Sequence, residues 1–105
     1  MKILGVFTAL SLGSLSTIAT ANNNYGYECR FGNELRVIEV VYLQRESPVP
    51  CEVRYIKEHS NEKLWNASYE VGYCETQAEQ FVKKQQAWGW SCKKVMPSAG
   101  VSHEN

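Results

Sequence analysis

Alternating apolar and polar side chains predict β-strands in the first two thirds of the chain. Residues 25–31 place aromatic side chains and a cysteine on one face, and glycine or charged side chains on the other, a period of two that is typical of a strand. The same period indicates strands over residues 51–57 and about 63–70. Residues 34–43 are apolar on both faces apart from one arginine and one glutamate, which predicts a strand in the centre of the sheet.

Turn-forming residues separate these predicted strands. Gly32 and Asn33 both tolerate positive φ and suit a two-residue hairpin turn. The prolines of residues 44–50 interrupt the hydrogen bonds of a strand ladder, so this segment is predicted to be a loop. Residues 58–62 are polar and predict a hairpin loop before the fourth strand.

Residues 74–88 follow a helical pattern instead. A stripe of mainly apolar side chains recurs at steps of three or four: Cys74, Ala78, Phe81, Val82, Gln85 and Trp88. Gly89 ends this helix, and residues 90–95 are compatible with a short edge strand. The predicted fold is therefore α+β, a four-strand antiparallel meander that a single C-terminal helix covers on one face.

The first 21 residues have the pattern of a secretory signal peptide. Lys2 precedes an apolar run, and Ala19-Thr20-Ala21 forms a small-residue cleavage site. The apolar run is too short, and too interrupted by serine and threonine, for a membrane anchor. We expect a signal peptide over residues 1–21, one domain over 22–96 and a disordered tail over 97–105. The cleaved protein is then periplasmic or secreted, with no stable membrane insertion.

The charge balance argues against a nucleic-acid partner. The chain has 11 lysine and arginine residues against 11 aspartate and glutamate residues. Affinity for phosphate groups depends on accumulated positive charge, which this composition lacks.

Four cysteines, Cys29, Cys51, Cys74 and Cys92, predict two disulfides, because small exported domains are commonly cross-linked in this way. A four-thiolate zinc site normally requires closely spaced pairs, and the cysteines here are far apart in sequence. No Cys-x-x-Cys motif supports a redox-active pair.

The path of the chain favours one pairing of these cysteines. A helix over residues 74–88 is about 21 Å long, whereas the residues up to Cys92 reach back about 14 Å, so a bridge from Cys74 to Cys92 is barely closable. We expect Cys51 to pair with Cys74 at the start of the helix, and Cys29 with Cys92 beyond its end. The alternative, Cys29 with Cys74 and Cys51 with Cys92, needs the reverse helix direction and stays open.

Several short motifs are similar to those of a group of exported bacterial proteins. The motifs are Tyr27-x-Cys29, Val40-Val41-Tyr42, Val49-Pro50-Cys51-x-Val53-x-Tyr55-x-Lys57, Leu64-Trp65-x-Ala67, Gly72-Tyr73-Cys74, Phe81-Val82-x-Lys84 and Gly89-Trp90-x-Cys92. In this order they resemble small exported four-cysteine proteobacterial proteins of unknown function. The resemblance implies a protein of the bacterial envelope, but it implies no activity and no catalytic residues.

No set of residues predicts catalysis. His59 lies in a predicted polar loop and His103 in the tail, and neither is close in sequence to a recognisable nucleophile. The carboxylate pairs of residues 58 and 62 and of residues 75 and 79 are typical of loop and helix-end charges. We therefore expect no enzyme, no cofactor and no metal.

The aromatic residues are the remaining candidates for function. Most of them are expected to form the core of so small a domain. Tyr42, Trp88 and Trp90 are the residues that we expect to be exposed and to form a binding surface. The sequence thus favours a non-enzymatic binding or inhibitor module that acts on an envelope protein. A small envelope hydrolase and a purely structural envelope stress protein are the alternatives, and the sequence does not predict an oligomeric state.

Overall fold

A computed structural model of the chain describes residues 23–96. They form five strands and one helix: β1 (Tyr25–Phe31), β2 (Glu34–Tyr42), β3 (Cys51–Lys57), β4 (Ser60–Ala67), α1 (Tyr73–Ala87) and β5 (Ser91–Val95). The predicted signal peptide and the predicted tail lie outside the described residues.

All five strands belong to one antiparallel sheet with the order β4-β3-β2-β1-β5. Because α1 follows one edge strand and precedes the other, it crosses one face of the sheet and contacts every strand. The core lies between α1 and this face. It is built from Cys29, Ile38, Val40, Cys51, Val53, Tyr55, Ala67, Cys74, Ala78 and Val82.

The α+β architecture with one covering helix agrees with the prediction, but the count of four strands is wrong. The additional strand, β5, pairs with β1 from Gly26–Val95 to Arg30–Ser91. Gly89 allows the chain to reverse after α1, and residues 91–95 then add to the free edge of β1.

The predicted bounds of the fourth strand are also wrong. The turn before β4 consists only of Glu58 and His59, and Lys57 pairs with Ser60. The polar residues that follow belong to β4 because an edge strand has side chains in contact with water. Between the pairs Val53–Trp65 and Arg54–Lys63 the register shifts by one residue, which leaves Leu64 in a bulge.

Two disulfides connect the helix and the last strand to the sheet. Cys51, the first residue of β3, is bonded to Cys74 in the first turn of α1. Cys29 and Cys92 are direct cross-strand neighbours on β1 and β5, and they form the second bridge. These are the two pairs that the path of the chain favours, and they hold both ends of the helical segment on the sheet.

The sheet face opposite α1 has no second layer among the described residues. Val37 and Glu39 point to this open face, since they alternate with the core residues of β2, yet both are buried. Charged side chains of neighbouring strands lie over this face: Arg54 bonds Glu52 at 2.6 Å and Asn61 at 2.8 Å. The open face therefore carries hydrogen-bonded charged and polar side chains beside the buried Val37 and Glu39.

Candidate interaction surface

The C-terminal end of α1 is a Schellman motif that fixes the path of two tryptophans. Gly89 has φ of 104°, its N–H donates to the carbonyl of Gln86 at 3.0 Å, and the N–H of Trp90 donates to the carbonyl of Gln85 at 3.0 Å. Glycine occupies this left-handed position because it has no side chain to be strained there. Trp88 and Trp90 flank the reversal.

Phe31 and Trp90 form an aromatic pair at this end of the helix, and Trp88 lies two residues before Trp90. Trp88 is 62% exposed and Phe31, the last residue of β1, is 53% exposed. The ring of Trp90 is partly buried, with its centre 5.3 Å from that of Phe31. We call these three residues the tryptophan surface. All three residues lie at the same end of the molecule, and two of them are more than half exposed.

A row of alternating cations and rings supports this surface from the sheet. The guanidinium of Arg36 lies 4.7 Å from the ring centre of Trp90, and its Nη1 donates to the hydroxyl of Tyr55 at 2.9 Å. On the far side, the Nζ of Lys57 lies 5.4 Å from the ring centre of Tyr55. We call Trp90, Arg36, Tyr55 and Lys57 the cation–π ladder. Its contacts fix the orientation of Trp90 before any partner binds.

Two further contacts hold the ladder in place. Gln85, which is buried, donates through Nε2 to the Tyr55 hydroxyl at 3.0 Å. Glu34 accepts from Nη2 of Arg36 at 3.0 Å. The Tyr55 hydroxyl thus accepts from both a helix residue and a sheet residue, so it couples the end of α1 to β2 and β3.

Next to the ladder, the two hairpins separate and leave a cleft of about 650 Å³. The pairing of β2 with β3 ends at Val37–Ile56, and the residues between this pair and the two turns line the gap. Leu35, Val37 and Ile56 form its apolar lining. Arg36 and Lys57 contribute both to this cleft and to the ladder. We call this gap the hairpin cleft.

Tyr42 lies at the opposite end of the sheet, where α1 begins. It is the direct neighbour of Cys51 in the strand ladder, and its hydroxyl donates to Oε2 of Glu75 in the first turn of α1. The length of α1, about 22 Å, separates this position from the tryptophan surface. The structure therefore does not bring Tyr42 together with Trp88 and Trp90.

The surroundings of Tyr42 stabilise neutral tyrosine. Burial, the hydrogen bond to Glu75 and the charge of Glu75 raise the pKa of Tyr42 above its ordinary value. Burial also raises the pKa of Tyr25, and Tyr27 and Glu75 add to that increase. The Nζ of Lys94 lies 4.6 Å from the ring centre of Tyr25. We call Tyr25, Tyr27 and Tyr42 the tyrosine cluster. Through Glu75 it connects the start of α1 to β1 and β2.

Among the described residues, the histidine and carboxylate groups considered for acid–base chemistry lie at opposite ends of the fold. The Nε2 of His59 is 3.8 Å from Oε2 of Glu58, and both side chains are more than four-fifths exposed. Glu75 is bonded to Tyr42, and His103 lies outside the described residues. Within residues 23–96, no group of three or more His, Cys, Asp or Glu side chains is placed to hold a metal ion. The same part of the chain contains no helix long and apolar enough to cross a membrane.

The sequence interpretation misses Arg36 and Phe31 as members of this site. One signal points to Arg36: it is a cation on the face of β2 that also carries Ile38 and Val40. A charge on a core-facing position requires a partner, and that partner proves to be the row of rings at the end of the helix. Phe31 shares a face with Cys29, a position that is typical of an ordinary core residue.

Comparisons with models of protein families, with curated proteins and with solved structures find no match for this chain. The site must therefore be interpreted from its own geometry.

Proposed function

We propose that the protein is a non-enzymatic binding or inhibitor module that contacts an envelope protein through the tryptophan surface. The observation that carries this proposal is the grouping of Phe31, Trp88 and Trp90 at one end of the fold, with two of the three side chains more than half exposed. Tryptophan and arginine are the residue types that most often dominate binding energy at protein interfaces.

The surface is preorganised, which favours binding over a purely structural role. The Schellman motif fixes the backbone of Trp88 and Trp90, and stacking on Arg36 fixes the ring of Trp90. The disulfide between Cys29 and Cys92 holds β5, which follows directly, against β1. A surface that is already rigid loses little conformational entropy when a partner binds.

The disulfides also support the compartment in this proposal. Two bridges join all four cysteines, and disulfides persist in oxidising compartments. The periplasm and the extracellular space are the oxidising compartments that an exported envelope protein reaches, so we place the protein in one of them.

A capture experiment with matched variants tests the proposal. Wild-type protein, Trp88→Ala and Tyr69→Ala are immobilised and exposed to periplasmic extract, and the retained proteins are identified by mass spectrometry. Tyr69 is the control because it is 90% exposed and precedes α1, at the other end of the fold. We expect one envelope protein to be retained by wild type and Tyr69→Ala, and to be strongly reduced with Trp88→Ala. Equal retention by all three proteins, or no retained protein at all, contradicts the proposal.

The hairpin cleft supports one alternative, a small envelope hydrolase, because Glu34, Glu58 and His59 all line it. Their exposure weighs against this function, since a carboxyl group acting as a general acid usually lies in a desolvated site. A peptidoglycan-release assay separates the two functions. Hydrolysis by the wild type that is abolished in Glu34→Gln or Glu58→Gln would favour the hydrolase.

A further inference from the structure

We infer that the partner presents an acidic segment with an apolar side chain, and that this segment enters the hairpin cleft while a neighbouring part of the partner covers the tryptophan surface. This inference rests on the proposed function and specifies the chemistry of the partner.

The cleft and the tryptophan surface are continuous. Arg36 lines the cleft and stacks on Trp90, whereas its neighbour Leu35 lines the cleft from the open face. Because pairing between β2 and β3 ends at Val37–Ile56, the gap reaches from one face of the sheet to the other. A single extended segment can therefore contact the cleft and approach Trp90 without any movement of the fold.

The cleft has the size and lining for an apolar anchor. Its volume of about 650 Å³ is within the range of typical ligand pockets, roughly 300 to 1,000 Å³. Leu35 is 37% exposed at its wall, while Val37 is buried beneath. An inserted aliphatic or aromatic side chain would remove the remaining apolar area of Leu35 and Ile56 from water.

One cation of the cleft favours an acidic segment. Arg36 and Lys57 line the cleft together with Glu34 and Glu58, whereas Arg30 and Lys84 lie at the same end of the fold without lining it. Among the described residues, the ion pairs involve Arg36 but none of the other three. Of the carboxylates at this end, Glu34 accepts a hydrogen bond from Arg36, Glu58 lies beside His59, and Glu62 is the cross-strand neighbour of Tyr55. A carboxylate of the partner can therefore pair with Lys57, the cation of the cleft lining that takes part in no ion pair among the described residues.

The neutral overall composition separates this partner from a polyanion. With 11 basic and 11 acidic residues, the chain lacks the broad positive surface on which nucleic-acid affinity depends. The cations are local and lie beside an apolar cleft, a combination that suits a peptide with both carboxylates and an apolar side chain.

Defined peptides test the inference even though the partner itself is unidentified. The probes are three blocked pentapeptides: phenylalanine flanked by two glutamates on each side, the same peptide with lysines in place of the glutamates, and a glutamate peptide with alanine at the centre. Each is titrated into the ¹⁵N-labelled protein at low ionic strength. We expect the glutamate–phenylalanine peptide to shift the amides of Leu35, Val37 and Ile56 and the indole N–H of Trp90. Both other peptides should bind at least about tenfold more weakly.

Matched variants locate the binding. Lys57→Glu and Leu35→Asp should each weaken the glutamate–phenylalanine peptide about tenfold, whereas Arg45→Glu, in the exposed loop at the opposite end, should leave its affinity unchanged. Equal binding of the lysine peptide, shifts centred on Tyr42 and Glu75, an equal loss in Arg45→Glu, or no binding by any peptide overturns the inference. Binding only to vesicles of anionic lipid also overturns it, in favour of a membrane surface.

The capture experiment distinguishes this failure from failure of the proposed function. In one outcome, Trp88→Ala abolishes retention of the envelope protein while Lys57→Glu and Leu35→Asp retain it fully. In that case the tryptophan surface binds the partner, and the inference that an acidic segment enters the hairpin cleft is contradicted. If all three variants lose the same protein, both the proposed function and the inferred partner chemistry are supported.

Discussion

The hydroxyl of Tyr55 accepts hydrogen bonds from two other side chains, and Tyr55 is the residue on which the candidate site depends most. Its hydroxyl accepts from Arg36 and from Gln85, and Gln85 is only 2% exposed. In Tyr55→Phe the Gln85 amide keeps no partner and is shielded from water, so we expect the free energy of unfolding to fall by about 1–3 kcal/mol. Urea denaturation at neutral pH measures the change.

A second variant separates the hydrogen bond from packing. Gln85→Leu added to Tyr55→Phe removes the orphaned amide, so the double variant should be more stable than Tyr55→Phe alone. Tyr69→Phe, at an exposed position, is the control and should match wild type. A double variant that is less stable than Tyr55→Phe would show that packing, and not the polar contact, dominates at this position.

The tyrosine cluster at the start of α1 makes stability sensitive to alkaline pH. The pKa of Tyr25 and that of Tyr42 are raised in the folded protein, mainly by burial, with Glu75 contributing to both. Above about pH 10 the unfolded chain loses these protons while the folded chain keeps them, so the free energy of unfolding decreases as pH rises. Below pH 10 this stabilisation is fully present.

Replacement of both hydroxyls tests this pH dependence. In Tyr25→Phe/Tyr42→Phe, the decrease in the free energy of unfolding above about pH 10 should be shallower than in wild type, because two groups no longer titrate. Denaturation by urea at a series of pH values gives both slopes. Identical slopes would mean that other groups, such as lysines, cause the alkaline loss of stability.

At the scale of the elements, the end of α1 depends on one glycine. Gly89 has φ of 104°, and its absent Cβ would lie 3.5 Å from the ring of Phe31, an ordinary contact distance. The cost of Gly89→Ala is therefore conformational rather than steric, and we expect about 1–2 kcal/mol of lost stability. Because the Schellman motif positions both tryptophans, the indole N–H signals of Trp88 and Trp90 should shift together.

Gly32→Ala is a matched control for this prediction. Gly32 also has positive φ, with no heavy atom near its absent Cβ, but it lies in the β1–β2 turn. It should lose a similar amount of stability and leave the signal of Trp88 in place. Unchanged tryptophan signals in Gly89→Ala would show that the aromatic contacts alone fix the helix end.

The elements that can be predicted are those in which local pattern and final pairing agree. β1 and β3 begin and end at the predicted residues, because clear alternation and turn residues bound both. The start of β4 differs from the prediction because residues 60–63 are polar, and only pairing with β3 across a two-residue turn makes them a strand. β5 lies outside the predicted meander because its pairing with β1 depends on the whole length of α1.

At the scale of the molecule, the candidate site combines local and long-range features. The tryptophans flank a helix-ending glycine, which is a local signal that the sequence contains. The cation–π ladder joins β2, β3 and the residue before β5, so it depends on strand order and register. The hairpin cleft arises where β2 and β3 stop pairing. The alternation of side chains continues past that point without any change, so the sequence pattern does not reveal the cleft.

The two disulfides should differ in how readily they are reduced in the folded protein. Cys51 and Cys74 are completely buried between α1 and the sheet, whereas Cys92 is partly exposed on the edge strand β5. Reduction requires a thiolate to reach a sulfur atom, and a short edge strand opens locally at lower free energy than the core. We expect Cys29 and Cys92 to be reduced and alkylated first, and Cys51 and Cys74 only on global unfolding.

Timed alkylation with peptide mass spectrometry measures the order in which the two bridges are reduced. The control is a sample unfolded in urea, in which both bridges become accessible. Simultaneous loss of both bridges without urea would show that β5 does not open separately, and earlier loss of the Cys51–Cys74 bridge would show that α1 detaches before β5.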